Sequence, residues 1–165
     1  MSEAKVGKDK ASVTPAVRVL REHGVEFIES PYRYVEKGGT AVSARELGVD
    51  EHNVIKTLVM EDEAKHPVVV LMHGDREVST KEMARVMGVK KVSPCTPETA
   101  YRHTGYVVGG ISPFGVRKAM PVYMEETILT LPRIYINGGR RGFLVGLAPR
   151  DLVRVLNPFM VKVGI

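Results

Sequence analysis

Gly105-Tyr106-Val107-Val108-Gly109-Gly110-Ile111-Ser112-Pro113-Phe114-Gly115 is the stretch around which the rest of this chain organises itself. Four glycines and a proline leave it only two hydroxyls, those of Tyr106 and Ser112. Nothing here is a strong nucleophile without an activating base, so what the segment offers is its backbone. Gly109 and Gly110 can take dihedrals closed to other residues and let a ligand approach the main chain. Pro113 stiffens the exit by fixing its own φ. Two alternatives remain open on local sequence. The segment is a tight connection between two strands, or it is a rigid loop whose N–H groups would stabilise the developing charge on an ester oxygen.

Outward from this segment, strand-like and helix-like patterns alternate at short spacing. Thr14-Pro15 opens a helix with a capping residue followed by proline, an apolar stripe runs through Val17 and Leu20, and Gly24 closes it. A short strand is predicted over Val25 to Ile28 and a second short helix over Ala41 to Leu47, stopped by Gly48. Val54 to Met60 and Val68 to Met72 are apolar, β-branched runs joined by a charged turn, the pattern of a hairpin. Ser79 or Thr80 caps a helix that ends at Gly88, and another helix spans Pro97 to His103. Pro121 to Met124, Arg133 to Ile136 and Phe143 to Leu147 predict three late strands, Pro149 to Leu156 a last helix, and Met160 to Val163 an edge strand. Most strands lie too close together for regular βαβ crossovers, which need a dozen or more residues. The expected class is therefore α/β in the α+β sense: a mixed, mainly antiparallel, barrel-like sheet with helices around it.

A length of 165 residues and 44% hydrophobic content fit one domain with one substantial core. Residues 1–10 are charged, lack the apolar stretch of a secretory signal, and read as a frayed tail before a single domain over 11–165. No apolar run reaches the roughly 18 residues that span a bilayer, so no membrane is expected. The single cysteine, Cys95, excludes an internal disulfide and fits a cytoplasmic protein. The net charge of +5 is clustered in pairs, Lys90-Lys91, Arg117-Lys118 and Arg140-Arg141. Such pairs are usually solvated surface, but two of them sit beside glycine-rich turns, where Lys and Arg would meet phosphate. With 6% aromatics and no tryptophan, a stacking platform for single strands has little to stand on.

Chemistry-bearing residues are few. The sequence has no HExxH, CxxC, P-loop or GxSxG, and its five histidines show no metal-ligand spacing, so no metal or other cofactor is expected. Cys95 reads as an incidental thiol, and Ser112 as a hydrogen-bonding residue. Lys56 stands out because it starts the otherwise apolar Lys56-Thr57-Leu58-Val59-Met60. Its amine either points into a cleft, where it would bind a phosphate or polarise a carbonyl, or is one of the exposed lysines that blunt strand edges.

Lys56-Thr57-Leu58-Val59, the Gly105–Gly115 motif and Tyr135-Ile136-Asn137-Gly138-Gly139-Arg140-Arg141-Gly142 occur in this chain in the order and spacing of the YbaK/EbsC family, which it resembles over nearly its whole length. These are bacterial Cys-tRNA deacylases related to the insertion editing domain of prolyl-tRNA synthetase. The resemblance implies a trans-editing enzyme that hydrolyses misacylated tRNA, typically cysteine on tRNA(Pro), with no metal. It implies that the substrate's own thiol attacks its ester carbonyl while the protein orients it. It also implies tRNA as a partner, through the acceptor end of the aminoacyl-tRNA, and prolyl-tRNA synthetase as a second one. By position, Lys56, Gly109 and Gly110 match the catalytic lysine and loop, and Tyr32, Thr57, Ser112, Gly138 and Gly139 the substrate pocket. Arg117, Lys118, Arg140 and Arg141 would meet the tRNA. One position departs from the pattern: Leu144 stands where the deacylases carry a pocket aspartate, so amino-acid specificity is open.

Overall fold

The computed structural model describes residues 13–165; the tail expected over residues 1–10 lies outside them. Five helices and eight strands follow one another in mixed order. Helix α1 (Pro15–Glu22) starts as its sequence requires, with Pro15 in the first turn and the Thr14 hydroxyl accepting the Val17 N–H at 3.1 Å. Helix α2 (Gly39–Leu47) ends at Gly48, whose φ of 68° is the left-handed cap. Helix α3 (Thr80–Met87) is capped by the Ser79 hydroxyl, which accepts the Glu82 N–H. Helices α4 (Pro97–Thr104) and α5 (Pro149–Leu156) both carry proline in the first turn.

The strands are β1 (Ile28–Pro31), β2 (Val54–Asp62), β3 (Pro67–His73), β4 (Val92–Pro94), β5 (Val122–Glu125), β6 (Ile134–Arg140), β7 (Phe143–Leu147) and β8 (Phe159–Val161). They form one sheet in the order β1-β7-β6-β2-β3-β5-β8, with β4 attached to β2 beside this path. The predicted hairpin is β2–β3, antiparallel from Ile55↔His73 to Glu61↔Pro67. Three pairings are parallel, β2–β6, β3–β5 and β5–β8, so the sheet is mixed. The chain between β3 and β5 holds two helices and β4, long enough for a parallel crossover. The barrel-like closure expected from sequence is not formed: β1 and β8 are the two ends of an open sheet. Both are short, and β1 ends in Pro31, which has no N–H to donate.

Two further differences have local causes. The first strand runs over Ile28–Pro31 rather than Val25 to Ile28, because the Val25 N–H bonds the Leu20 carbonyl and its side chain is buried in the main core. Strand β4 has no signal of its own; Val92-Ser93-Pro94 becomes a strand by pairing with Met60 to Asp62.

Side-chain alternation divides the sheet. On one face, Ile55, Leu71, Ile136 and Val145 pack against Val17 and Leu20 of α1 and Leu152 of α5 in the main core. The other face carries two separate apolar clusters. Val54 and Leu144 meet Ala44 of α2, while Met60, Val70 and Met72 meet Met83 and Ala84 of α3. Lys56 lies on this second face between Val54 and Met60, so the space between the clusters opens over a lysine.

His73, at the end of β3, is 2% exposed. Its Nδ1 lies 2.8 Å from the His52 carbonyl, which can only accept, and its Nε2 lies 2.7 Å from the Thr127 hydroxyl. A neutral ring that donates through Nδ1 satisfies both contacts, and burial holds the His73 pKa below the ordinary histidine value. Because the folded state binds this proton less readily than the unfolded chain, the stability tied to it is present above about pH 6.5 and is lost as pH falls below that. Thermal melts should therefore drop between pH 7 and pH 5, and His73→Gln should flatten that slope. An equal slope in the variant would show that His73 does not set it.

Candidate functional site

Strand β2 is paired with β3 along nearly all of one edge, but its other edge is divided. The ladder to β6 ends at Ile55↔Ile136, and the ladder to β4 starts at Met60↔Pro94. Val59 is tied through its carbonyl to the Cys95 N–H at 3.0 Å. Backbone groups alternate sides along a strand, so Thr57, between Ile55 and Val59, turns its N–H and C=O into the gap. Its hydroxyl is buried and has no hydrogen-bond partner among the described residues. Such a group costs free energy when it is left without a partner. A cleft of about 940 Å³ opens there, at the upper end of the volume taken by small-ligand sites.

The glycine segment forms the facing wall. Val107 to Gly110 is a turn closed by the Gly110 N–H on the Val107 carbonyl at 2.8 Å. Gly109, at its third position, has φ 91°, as a type II turn requires. A Cβ there would lie 2.8 Å from the Tyr34 hydroxyl. The turn is tied to the β6–β7 hairpin by two side chains. Asn137 Nδ2 donates to the Gly109 carbonyl at 3.0 Å, while its Oδ1 accepts the N–H groups of Gly139 and Arg140. Arg141 Nε donates to the Val108 carbonyl at 2.9 Å, and its guanidinium lies over the Tyr34 ring.

The structure brings Tyr32, Lys56, Thr57, Gly109 and Arg141 to the lining of one cleft. It does not bring Gly110, Ser112, Gly138 or Gly139 there. The Gly110 N–H is already spent in the turn, and a Cβ at Gly110 would meet the backbone of Arg140 and Arg141 at 2.9 Å. Ser112 is fully buried, with its hydroxyl accepting the Phe114 N–H. A Cβ at Gly138 would strike the Phe143 ring, and one at Gly139 the Tyr106 ring. These small residues allow the glycine segment and the β6–β7 hairpin to interleave. Arg117, Lys118 and Arg140 are exposed but do not line the cleft; Arg117 lies over the Tyr101 ring and Arg140 over the Phe143 ring.

Lys56 is one-fifth exposed, and its Nζ lies 3.3 Å from Glu77 Oε2. Tyr32 packs with Leu144, and burial raises its pKa above the ordinary tyrosine value. Leu144 is 4% exposed and gives the cleft an apolar floor. Asn137 and Cys95 also line the cleft, without a site role in the sequence. Asn137 was legible only as part of a turn. Cys95 reads as incidental in the sequence; burial, with Glu61 Oε1 3.5 Å from its sulfur, pushes its pKa up to about 11, so it remains a thiol at neutral pH. Among the described residues no group of three or more His, Cys, Asp or Glu is arranged to hold a metal ion, and no helix is long and apolar enough to cross a membrane.

Asn137 fixes both the turn and the bulge in β6. Asn137→Ala should lower unfolding free energy by about 1–3 kcal/mol and speed hydrogen exchange at the amides of Val107 to Ile111. Unchanged exchange there would show that the turn holds without it.

The family model described as aminoacyl-tRNA editing domain matches residues 37–155. The Enterococcus faecalis protein named "Putative Cys-tRNA(Pro)/Cys-tRNA(Cys) deacylase EbsC" is 32% identical over 145 residues, covering 87% of this chain and 88% of that protein. The proline–tRNA ligase of Thermodesulfovibrio yellowstonii is 38% identical over 97 residues, which are 58% of this chain and 16% of the ligase. Two solved structures share the fold. Hypothetical protein APE2540 superposes with a TM-score of 0.84 at 24% identity, over 92% of this chain and 100% of that one. A structure described as a putative trans-editing enzyme for prolyl tRNA synthetase has a TM-score of 0.79 at 22% identity, over 93% and 99%. By the family match over most of its length and by its EbsC relative, the chain belongs to the aminoacyl-tRNA editing domain family.

Proposed function

We propose that this protein is a trans-editing aminoacyl-tRNA deacylase that hydrolyses misacylated tRNA, with Cys-tRNA(Pro) as its substrate. The observation that carries this is the break in the pairing of β2. It leaves an unpaired stretch of backbone at Thr57, next to Lys56 in the chain and opposite the Gly109 turn. An aminoacyl ester fits these groups. Its carbonyl oxygen would face Lys56 and the Gly109 N–H, which the turn's own hydrogen bond leaves unused. Its ribose and phosphate would lie toward Arg141. The floor of Leu144 and Val54 takes the amino-acid side chain.

No side chain here supplies a nucleophile. Cys95 lines the cleft, but its thiol is held protonated next to Glu61, and Ser112 is buried away from it. A cysteinyl ester brings its own nucleophile. The thiol sulfur bonds to the carbonyl carbon, the bond to the ribose oxygen breaks, and the proton passes from sulfur to that oxygen. This leaves tRNA and a four-membered thiolactone that water opens to cysteine. The protein then contributes orientation and charge stabilisation. Such a substrate is met in the cytoplasm, and the kinship with proline–tRNA ligases makes prolyl-tRNA synthetase the partner that would supply it.

With charged tRNA and radiolabelled cysteine, Lys56→Ala should slow deacylation of Cys-tRNA(Pro) by about a hundredfold, whereas Cys95→Ala should leave the rate unchanged. Full activity of the Lys56 variant would remove that residue from the reaction. A panel including Ala-tRNA(Pro) and Cys-tRNA(Cys) tests specificity at Leu144. Binding of the panel without cleavage of any member would make the protein a non-catalytic aminoacyl-tRNA-binding module.

A further inference from the structure

Lys56, the one lysine on the second face of β2, is paired rather than free. Its Nζ lies 3.3 Å from Glu77 Oε2. Glu77 is fixed through its backbone rather than its side chain: its N–H donates to the Ile165 carbonyl and its own carbonyl accepts the Ile165 N–H, next to the Val78↔Gly164 bridge. The carboxylate itself is 81% exposed and has no second hydrogen bond among the described residues. A rigid backbone with a loosely held acid at the cleft wall is suited to changing partners, since an exposed ion pair is worth little and breaks at small cost.

An aminoacyl ester carries a partner for that acid. Its α-amino group, when protonated, is a cation two bonds from the carbonyl carbon on which Lys56 would act. The floor at Leu144 and Val54 is apolar and offers no anion. Among the described residues lining the cleft, the carboxylates are Glu36 and Glu77. Glu36 is exposed on the connection between β1 and α2, beside Lys37. Glu77 is the one already next to the lysine.

Resting on the deacylase reading, we infer that Glu77 is a substrate-exchanged gate on Lys56. It holds the lysine in the empty cleft, transfers to the α-ammonium of an entering aminoacyl group, and so frees the lysine amine for the ester carbonyl. The site thereby reads a free α-amino group, and it disfavours esters whose amine is blocked, such as N-acetylated or peptidyl species. Leu144 cannot make that distinction, and Glu77 can. Glu77 is a positioning and specificity residue; it takes no proton from the reacting atoms.

The test compares aminoacyl-tRNA with its N-acetyl form in single-turnover deacylation. In parallel, the non-hydrolysable amides 3′-(cysteinylamino)-3′-deoxyadenosine and its N-acetyl form are titrated calorimetrically. The wild-type protein should favour the free amine by about fivefold in both measurements, the ratio expected from one partly exposed ion pair. Glu77→Gln should bring the two forms together from both sides, losing on the free amine and gaining on the blocked form because Lys56 is no longer held. A merely structural role for Glu77 would lower both forms alike and would overturn the inference. So would equal handling of the two forms by the wild-type protein while it cleaves aminoacyl-tRNA, which leaves the deacylase reading intact. Failure to cleave either tRNA and to bind either amide would remove the deacylase reading and this inference with it.

Discussion

The structure depends on a divided strand edge. Strand β2 takes β3 along one side, but no single strand covers the other: β6 pairs it at Val54 and Ile55, β4 at Met60 to Asp62. An unpaired backbone segment in a sheet interior is costly, so one that persists must be open to water or to a ligand. The reason β6 does not continue is visible in its own chain. Between Asn137 and Arg140 it bulges, and two of the N–H groups there bond the Asn137 side chain instead of a neighbouring strand. The same asparagine holds the Gly109 carbonyl. One irregularity therefore ends the ladder, opens the gap and positions the wall opposite it. The helices follow from this division, since α2 and α3 each cover one of the apolar clusters flanking Lys56 and neither covers the lysine.

Much of this frame was legible before any coordinates. The β2–β3 hairpin follows from two β-branched runs, and the helices from their punctuation: Thr14-Pro15, Ser79, Gly48 and Gly88 carry the start and stop signals in their own chemistry. What could not be read locally is whatever exists only through a partner. Strand β4 is three residues that become a strand on reaching Met60, and the open rather than closed sheet follows from pairings between segments far apart in sequence. Lys56 is instructive. A cleft lysine and an exposed strand-edge lysine were alternatives in the sequence; Lys56 lines the cleft and is one-fifth exposed, on a strand interior to the sheet.

The glycine segment was legible as backbone chemistry but not residue by residue. Its spacing pointed to N–H donors, and sequence cannot distinguish a donor that faces a ligand from one that closes its own turn. Gly110 is the second kind. Gly138, Gly139 and Ser112 belong to the motif for a different reason: the segment and the β6–β7 hairpin interleave so closely that rings of Phe143 and Tyr106 occupy the space a side chain would need. A motif this compact mixes residues that line the cleft with residues that let the others come together. Only packing separates them.

The electrostatics of the cleft are lopsided. Its floor is apolar at Leu144 and Val54, its thiol is kept uncharged at Cys95, and Lys56 and Glu77 pair on one wall while Asn137 and Arg141 hold the Gly109 turn opposite. As a deacylase, a site built this way would contribute little to the making of a nucleophile and much to the placing of a polarised carbonyl. On the deacylase reading, reactivity must then travel with the substrate, and selectivity must come from how the substrate's own charges exchange with those of the protein. That would put the decisive contacts at the Lys56–Glu77 pair, where an ion pair of small intrinsic worth is more useful than a strong one. A tightly buried pair would hold Lys56 regardless of what entered the cleft, whereas a weak one yields to a ligand that brings the right cation.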